Sequence, residues 1–254
     1  MPELGKKVFF LYPPSVVTDE LVWEVVRNEY EVYLLKDHAR LRKLLPRYND
    51  SILFVNIDAG LSEEGWEEYI RDISGSPDTA NVRIGILTYN RNEDLARKYL
   101  MDIGVQAGFV TLSLGLEESS GIILRMLEAN EARGRRRYVR ARIADPKAAT
   151  FNVKVHDTMC RGVIHDISSV GMACSFEGNG EVSVRSYLTD MQLRLRGQTV
   201  RVSGVVSGVR SEETRVHVII FDPRRGDAFR TRLRHFVHQQ LSRSLLREME
   251  ALQG

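Results

Sequence analysis

Nine residues, Gly134 to Arg142, carry five arginines: Arg135, Arg136, Arg137, Arg140 and Arg142. A guanidinium is planar, permanently charged and forked, so it meets phosphate oxygens and the O6/N7 edge of guanine equally well. Such a cluster expects an anion. Downstream stands a second group, Asp166-Ile167-Ser168-Ser169-Val170-Gly171, with a carboxylate, hydroxyls and a closing glycine. Taken alone it reads as an Asx or Ser turn at a strand end, and the arginine run alone as a solvated linker or a nonspecific nucleic-acid patch.

The elements that must position these groups fall into two parts. At 254 residues, with 43% hydrophobic and 28% charged residues, the chain is long enough for two folded domains. Residues 1–130 hold 14 Lys/Arg against 21 Asp/Glu, and residues 131–254 hold 22 against 13. The net charges are therefore −7 and +9, which points to an anionic ligand or partner for the second part.

From Lys6 to about Asn130, short apolar runs alternate with amphipathic stretches, the pattern of repeated βα units. Strands are expected at Lys7–Tyr12, Glu31–Leu35, Ile52–Ile57, Arg83–Thr88 and Phe109–Ser113. Helices are expected near Thr18–Asn28, His38–Leu45, Ser62–Ile73, Asn92–Asp102 and Leu116–Ala132, with Thr18 and Ser62 as N-caps and Gly134 as the final stop. This makes an α/β doubly wound, flavodoxin-like parallel sheet over residues 1–132.

Residues 133–254 form the second domain, with the Arg-rich stretch 133–142 as linker. Six strands follow over about 148–222: Thr150–His156, Arg161–Asp166, Met172–Phe176, Tyr187–Leu195, Thr199–Val209 and Arg215–Phe221. Turns are expected at Asp157-Thr158, Gly178-Asn179-Gly180 and Ser211-Glu212, and bends at Gly162, Gly171, Gly204 and Gly208, the layout of a small antiparallel barrel. Over about 226–252 the residues Phe229, Leu233, Phe236, Val237, Leu241, Leu245 and Met249 follow helical spacing. That amphipathic, basic helix is expected to pack on an open side of the barrel. Self-association of its distal half into a homodimer is the second use weighed.

The first domain resembles a response-regulator receiver. Asp58 ends the third strand, where receivers carry the phosphoacceptor, and Thr88 ends the fourth, where they carry a hydroxyl. The rest of that set is missing: Tyr12-Pro13-Pro14 replaces the acidic pair that holds Mg²⁺, and Leu114-Gly115 replaces the lysine. Phosphoryl transfer would lack its main electrostatic support. Asp58 therefore reads as a capping or turn residue, and the domain as a docking or dimerisation module without a phosphorylation site.

The second domain resembles a PilZ domain, whose signature is R-x-x-x-R before the barrel and [D/N]-x-S-x-x-G within it. Here these are Arg136-Arg137-Tyr138-Val139-Arg140 and Asp166-Ile167-Ser168-Ser169-Val170-Gly171. Either motif alone is weak, but the ordered pair on a six-strand pattern is specific. The resemblance implies cyclic di-GMP as ligand, with no further cofactor. Arg136 and Arg140 would grip phosphate and guanine, with Arg135 as a further contact. Asp166 would accept from guanine N1–H and N2–H₂, Ser168 would add one bond, and Gly171 would let the backbone pass closely under the base. Binding would order the linker, change the domain arrangement and signal to a protein partner whose identity the sequence does not name, in control of motility, adhesion or virulence. The competing reading is a phosphorelay output protein phosphorylated at Asp58, with a basic nucleic-acid-binding second domain.

Other chemistry is poorly supported. Cys160 and Cys174 show no metal-ligand spacing, and His235 and His238, one helical turn apart, lack a third ligand. His156 and His165, placed in strands, have no nucleophile beside them. The expectation is a bacterial cytoplasmic signal-transduction protein that is not an enzyme, uses no metal, binds no specific nucleic acid and is not inserted in a membrane.

Overall fold

The structure is a computed structural model and describes residues 5–178, 182–210 and 215–252. The expected turn residues Asn179, Gly180, Ser211 and Glu212 lie outside the described residues. The chain divides into two compact units, Met1–Arg137 with Ser242–Gly254, and Tyr138–Leu241. The expected boundary at 132/133 stands five residues before this division, and residues from Ser242 group with the first unit.

In the first unit, strands β1 (Lys7–Leu11), β2 (Glu31–Leu35), β3 (Ser51–Asn56), β4 (Arg83–Thr88) and β5 (Gly108–Thr111) form a sheet in the order β2-β1-β3-β4-β5. All pairings are parallel, with Leu11 opposite both Leu35 and Val55. Helices α1 (Ser15–Arg27), α2 (His38–Leu44), α3 (Glu63–Gly75), α4 (Glu93–Arg97) and α5 (Leu116–Ala129) connect or follow the strands. Every residue of β3 is buried, as expected of a strand covered on both faces. Val8, Phe10, Phe54, Val25, Ile123 and Leu127 share the core between the sheet and α1 and α5.

Ser62 caps α3 as expected, its hydroxyl accepting from Gly65 N at 3.2 Å. Three helix ends differ by three residues or more, and in α4 the α-helix gives way after Arg97 to a π-helical stretch over Lys98–Ile103. Thr18 lies inside α1, which starts directly after Pro14, where the fixed proline φ suits helix entry. The fifth helix ends at Ala129 instead of Ala132, because Glu131 takes the left-handed φ of 52° and the Ala132 N–H closes back onto Leu127 O at 2.9 Å.

The second unit holds β6 (Arg140–Arg142), β7 (Ala149–Val155), β8 (Thr158–Ser168), β9 (Gly171–Phe176), β10 (Tyr187–Leu195), β11 (Gln198–Arg210) and β12 (Val216–Phe221). Their order is β6-β8-β7-β10-β11-β12-β9, and a further pairing of β8 with β9 closes β7 to β12 into the expected six-stranded antiparallel barrel. Register shifts at Ile164/Asp166, Leu188/Met191 and Val206/Gly208 supply the curvature. His156 is not in a strand: with Asp157 it forms the two-residue β7–β8 turn at φ 44° and 66°, the left-handed pair that a tight hairpin requires.

Helix α6 (Asp227–Ala251) follows the barrel. Leu233, Phe236 and Val237 enter the barrel core beside Phe151, Met172 and Val202. The distal residues Leu245 and Met249 are buried too, and Tyr48 donates to the Glu248 carboxylate within the first unit. Among the described residues no helix is long and apolar enough to cross a membrane.

Candidate functional site

The arginine stretch is not linker throughout. Val139, Ala141 and Ile143 alternate with Arg140 and Arg142, the period-two pattern of a half-buried strand. Ala141 is fully buried, and Val139 and Ile143 pack on the barrel core. The segment thus adds β6 to β8, with Arg140 opposite Ser168 and Arg142 opposite Asp166. Both arginines are exposed while Ala141 faces inward.

On this outer face Arg140 Nη1 stands 3.9 Å from Asp166 Oδ1, with side chains 38% and 26% exposed. A partly exposed pair at that separation contributes on the order of 0–1 kcal/mol, so either partner can exchange the other for a ligand at small cost. Among the described residues the Asp166 carboxylate accepts no hydrogen bond. Its charge adds to burial, the larger cause, in pushing the neighbouring Cys174 thiol up to about 12, which keeps that cysteine protonated.

The turn after β8 is built from the rest of the motif. Ser168 is buried; its hydroxyl donates to Gly171 O at 3.2 Å and accepts from Val170 N at 3.4 Å. The hydroxyl expected to meet a ligand therefore shapes the turn in this structure. Val170 O accepts from Phe221 N at 2.9 Å, which draws β12 against the turn. At Gly171 a Cβ would lie 2.5 Å from Ile219 O, so the close approach of β12 requires glycine.

The structure thus brings together Arg140, Arg142, Asp166, Ser168 and Gly171 on two paired strands and one turn. Arg135 and Arg136 are exposed in the irregular segment before β6, on the first-unit side of the 137/138 division. Beside Asp166, His165 shares a 2.9 Å contact between Nε2 and Ser175 Oγ.

The carboxyl edge of the parallel sheet is arranged differently. Asp58 accepts from Thr88 Oγ1 at 2.6 Å and from Tyr89 N at 2.7 Å, so both oxygens tie the end of β3 to the end of β4. That bridge between strand ends differs from the helix cap or local turn expected of Asp58, since its partners lie 30 and 31 positions away. Asn56, buried at the end of β3, donates to Tyr12 O at 2.8 Å. Tyr12 takes φ 53° and places its ring against Trp66 at 5.8 Å and its hydroxyl 3.0 Å from His38 Nδ1. Trp66 also meets His38 at 6.0 Å and Tyr69 at 5.6 Å, completing an aromatic cluster around Tyr12, the first residue of the Tyr12-Pro13-Pro14 stretch. Gly60, at φ 89°, is required there: a Cβ would come within 2.7 Å of the Tyr12 ring.

A cleft of about 670 Å³ at the opposite, amino-terminal edge of the sheet contains none of these residues. Its cations are already engaged, Lys6 with Asp50 at 3.0 Å and Arg83 with Asn130 at 3.0 Å. Among the described residues no group of three or more His, Cys, Asp or Glu side chains could hold a metal ion.

No family model matches the chain, and no curated protein does. Among solved structures, the PilZ domain of YcgR from Escherichia coli with c-di-GMP aligns at TM-score 0.41 and 15% identity, over 46% of this chain and 98% of that one. The K. pneumonia MrkH–c-di-GMP complex aligns at TM-score 0.37 and 19% identity, over 47% of this chain and 57% of that one. The Vibrio cholerae chemotaxis protein CheY4 aligns at TM-score 0.40 and 11% identity, over 49% of this chain and 98% of that one. The chain spans about half the length of the larger PilZ proteins it matches, 51% for YcgR in complex with c-di-GMP. In fold, the chain is similar to PilZ-domain proteins and to response-regulator receivers.

Proposed function

We propose that the protein is a non-enzymatic receptor for cyclic di-GMP that reads the ligand on the outer face of its barrel. The observation that carries this reading is the loose Arg140–Asp166 pair, 3.9 Å apart on adjacent strands and partly exposed. A cation and a carboxylate side by side match the two edges of guanine: the guanidinium donates to O6 and N7, and the carboxylate accepts from N1–H and N2–H₂. Adenine offers no such donor pair. Arg135 and Arg136 bring two further cations for the phosphates, and Ser168 and Gly171 hold the turn that lets a base lie close to the backbone. Ligand then orders the segment around Arg135 and Arg136 and changes the domain arrangement, which a protein partner reads in the control of motility, adhesion or virulence.

Calorimetric titration of the full chain with cyclic di-GMP tests the ligand. Binding by the unaltered protein, lost by about 10- to 100-fold in Arg136→Ala and in Arg140→Ala, is expected from the removal of charge-assisted hydrogen bonds. No binding at tens of micromolar protein, or unchanged affinity in both variants, refutes the assignment. Small-angle scattering with and without ligand tests the rearrangement, and superimposable profiles would remove it.

A further inference from the structure

The stretch that leads into the arginine run is fastened to the first unit at two helix ends. Helix α1 stops at Arg27 and is closed by Glu29 N–H on Val26 O at 3.0 Å and Tyr30 N–H on Val25 O at 3.4 Å, with Glu29 at φ 61°. Helix α5 is closed in the same way, by Glu131 N–H on Glu128 O at 3.0 Å and Ala132 N–H on Leu127 O at 2.9 Å, with Glu131 at φ 52°. Both are Schellman caps with a glutamate where glycine is the ordinary choice, so each left-handed residue is held at a cost. Tyr30 and Ala132, the residues that leave the two caps, are buried in one shared core.

Arg133, the next residue, joins the two caps. Its guanidinium carbon lies over the Tyr30 ring, 5.0 Å from the centroid, and Nη2 donates to Asn28 O at 3.4 Å, a carbonyl at the negative end of α1. Further contacts hold the same root. Lys6 N–H donates to Ala132 O at 2.9 Å, and Arg83 Nη1 donates to Asn130 Oδ1 at 3.0 Å. A Cβ at Gly5 would lie 2.8 Å from Ala132 O and 3.0 Å from Gly134 N. Six residues, Gly134–Val139, separate this anchor from β6. Arg135 and Arg136 stand two and three positions beyond Arg133, so their Cα atoms stay within about 7 and about 11 Å of its own.

We propose that Arg133 is the positioning residue of the ligand segment: it fixes the root from which Arg135 and Arg136 reach a bound anion, and it passes the ordering of that segment to the end of α1. The inference rests on the receptor reading above and extends it, because Arg133 lies outside both motifs and acts through its neighbours. With the root held, ordering the segment costs the freedom of few residues, and its pull is delivered to the cap at Asn28 and Tyr30. Without the clamp the same ordering is absorbed between Ala132 and Gly134. An exposed cation over a ring is a weak contact, so the clamp yields and reforms without unfolding the helix.

The test combines calorimetric titration of cyclic di-GMP with amide hydrogen exchange on the full chain, unaltered and as Arg133→Ala, Arg133→Lys and Arg27→Ala. Arg27 supplies the control, since it also ends α1 but pairs with Glu24. Affinity should fall about two- to fivefold in Arg133→Ala, the worth of one exposed cation over a ring. Ligand should slow exchange over residues 22–32 in the unaltered protein and in Arg27→Ala, less in Arg133→Lys, and not in Arg133→Ala. Arg133 is exposed, and a melting temperature close to that of the unaltered protein shows that each variant is folded. Slowing that is equal in Arg133→Ala, or absent from the unaltered protein although it binds, reduces Arg133 to a helix cap and overturns the proposal with the receptor reading intact. Absence of binding by the unaltered protein overturns both.

Discussion

The carboxyl edge of the parallel sheet and the outer face of the barrel each present an aspartate to solvent, and the two are built in opposite ways. Asp58 uses both oxygens within its own fold, one on Thr88 Oγ1 and one on Tyr89 N, beside four packed aromatic and imidazole rings. Asp166 faces Arg140 at 3.9 Å, beyond hydrogen-bond reach. The first carboxylate holds two strand ends together; the second has acceptor capacity left for a ligand. Sequence context separates them only by motif, since Asp166 opens D-x-S-x-x-G whereas Asp58 lacks the acidic pair and lysine that would accompany a phosphoacceptor.

Substitutions can break this contrast. The largest expected effect is Trp66→Ala, which empties the centre of the aromatic cluster and removes the Nε1–H bond to Ala59 O. It should lower the stability of the first unit by about 3–5 kcal/mol. Both tryptophans, Trp23 and Trp66, belong to that unit, so Trp23 emission during urea denaturation reports it in the variant. Ligand affinity measured below the transition should be unchanged; loss of binding there would mean that the two regions are not separable.

Next in size, Asp166→Ala should weaken cyclic di-GMP by about 10- to 100-fold and leave the melting temperature within a few degrees, because the carboxylate supports ligand contacts and not the barrel. A variant that binds normally, or whose barrel unfolds, would place Asp166 in the same structural class as Asp58. Asp58→Asn is the reciprocal change. It should reduce first-unit stability by about 1 kcal/mol through weaker bonds to Thr88 and Tyr89, with no change in ligand affinity. Incubation of the unaltered protein with a small phosphodonor and Mg²⁺ should add no phosphate by intact mass; one phosphate, absent from Asp58→Asn, would revive a phosphorelay role.

The smallest effect concerns His217, buried in β12 with its ring edge-on to Phe176 at 5.0 Å. Burial holds its pKa below the ordinary 6.5. The neutral form is thus favoured in the fold, so its contribution to stability is present above about 6.5 and is lost as pH falls through the lowered value. The barrel should melt at a lower temperature at pH 5 than at pH 7, and His217→Gln should flatten that difference. An unchanged slope would show that other groups control the acid response.

Much of the architecture was legible in the sequence because the apolar runs change period where the fold changes class. Ile52 to Val55 read as a continuous buried strand, and Tyr187–Leu195 matches the observed β10. Strand β6 was legible too, in the alternation of Val139, Ala141 and Ile143 with Arg140 and Arg142, but five arginines in nine residues read more readily as linker. The local pattern held the information, and the charge obscured it. The position of His156 was missed for a different reason: a two-residue turn at positive φ without glycine carries little signal in residue type.

The pairing of R-x-x-x-R with D-x-S-x-x-G, the six-strand pattern and the charge division are properties of residue order, and the sequence alone determined them. Which oxygen atoms remain open for a ligand was decided only by the tertiary structure. Asp58 meets Thr88 and Tyr89 from about thirty positions away, Ser168 turns inward onto Gly171, and Ile220 reaches the motif only because β12 closes onto β9. Hydrogen bonds and burial depend on distance in space, and residue spacing along a chain does not encode that distance until the strands are paired.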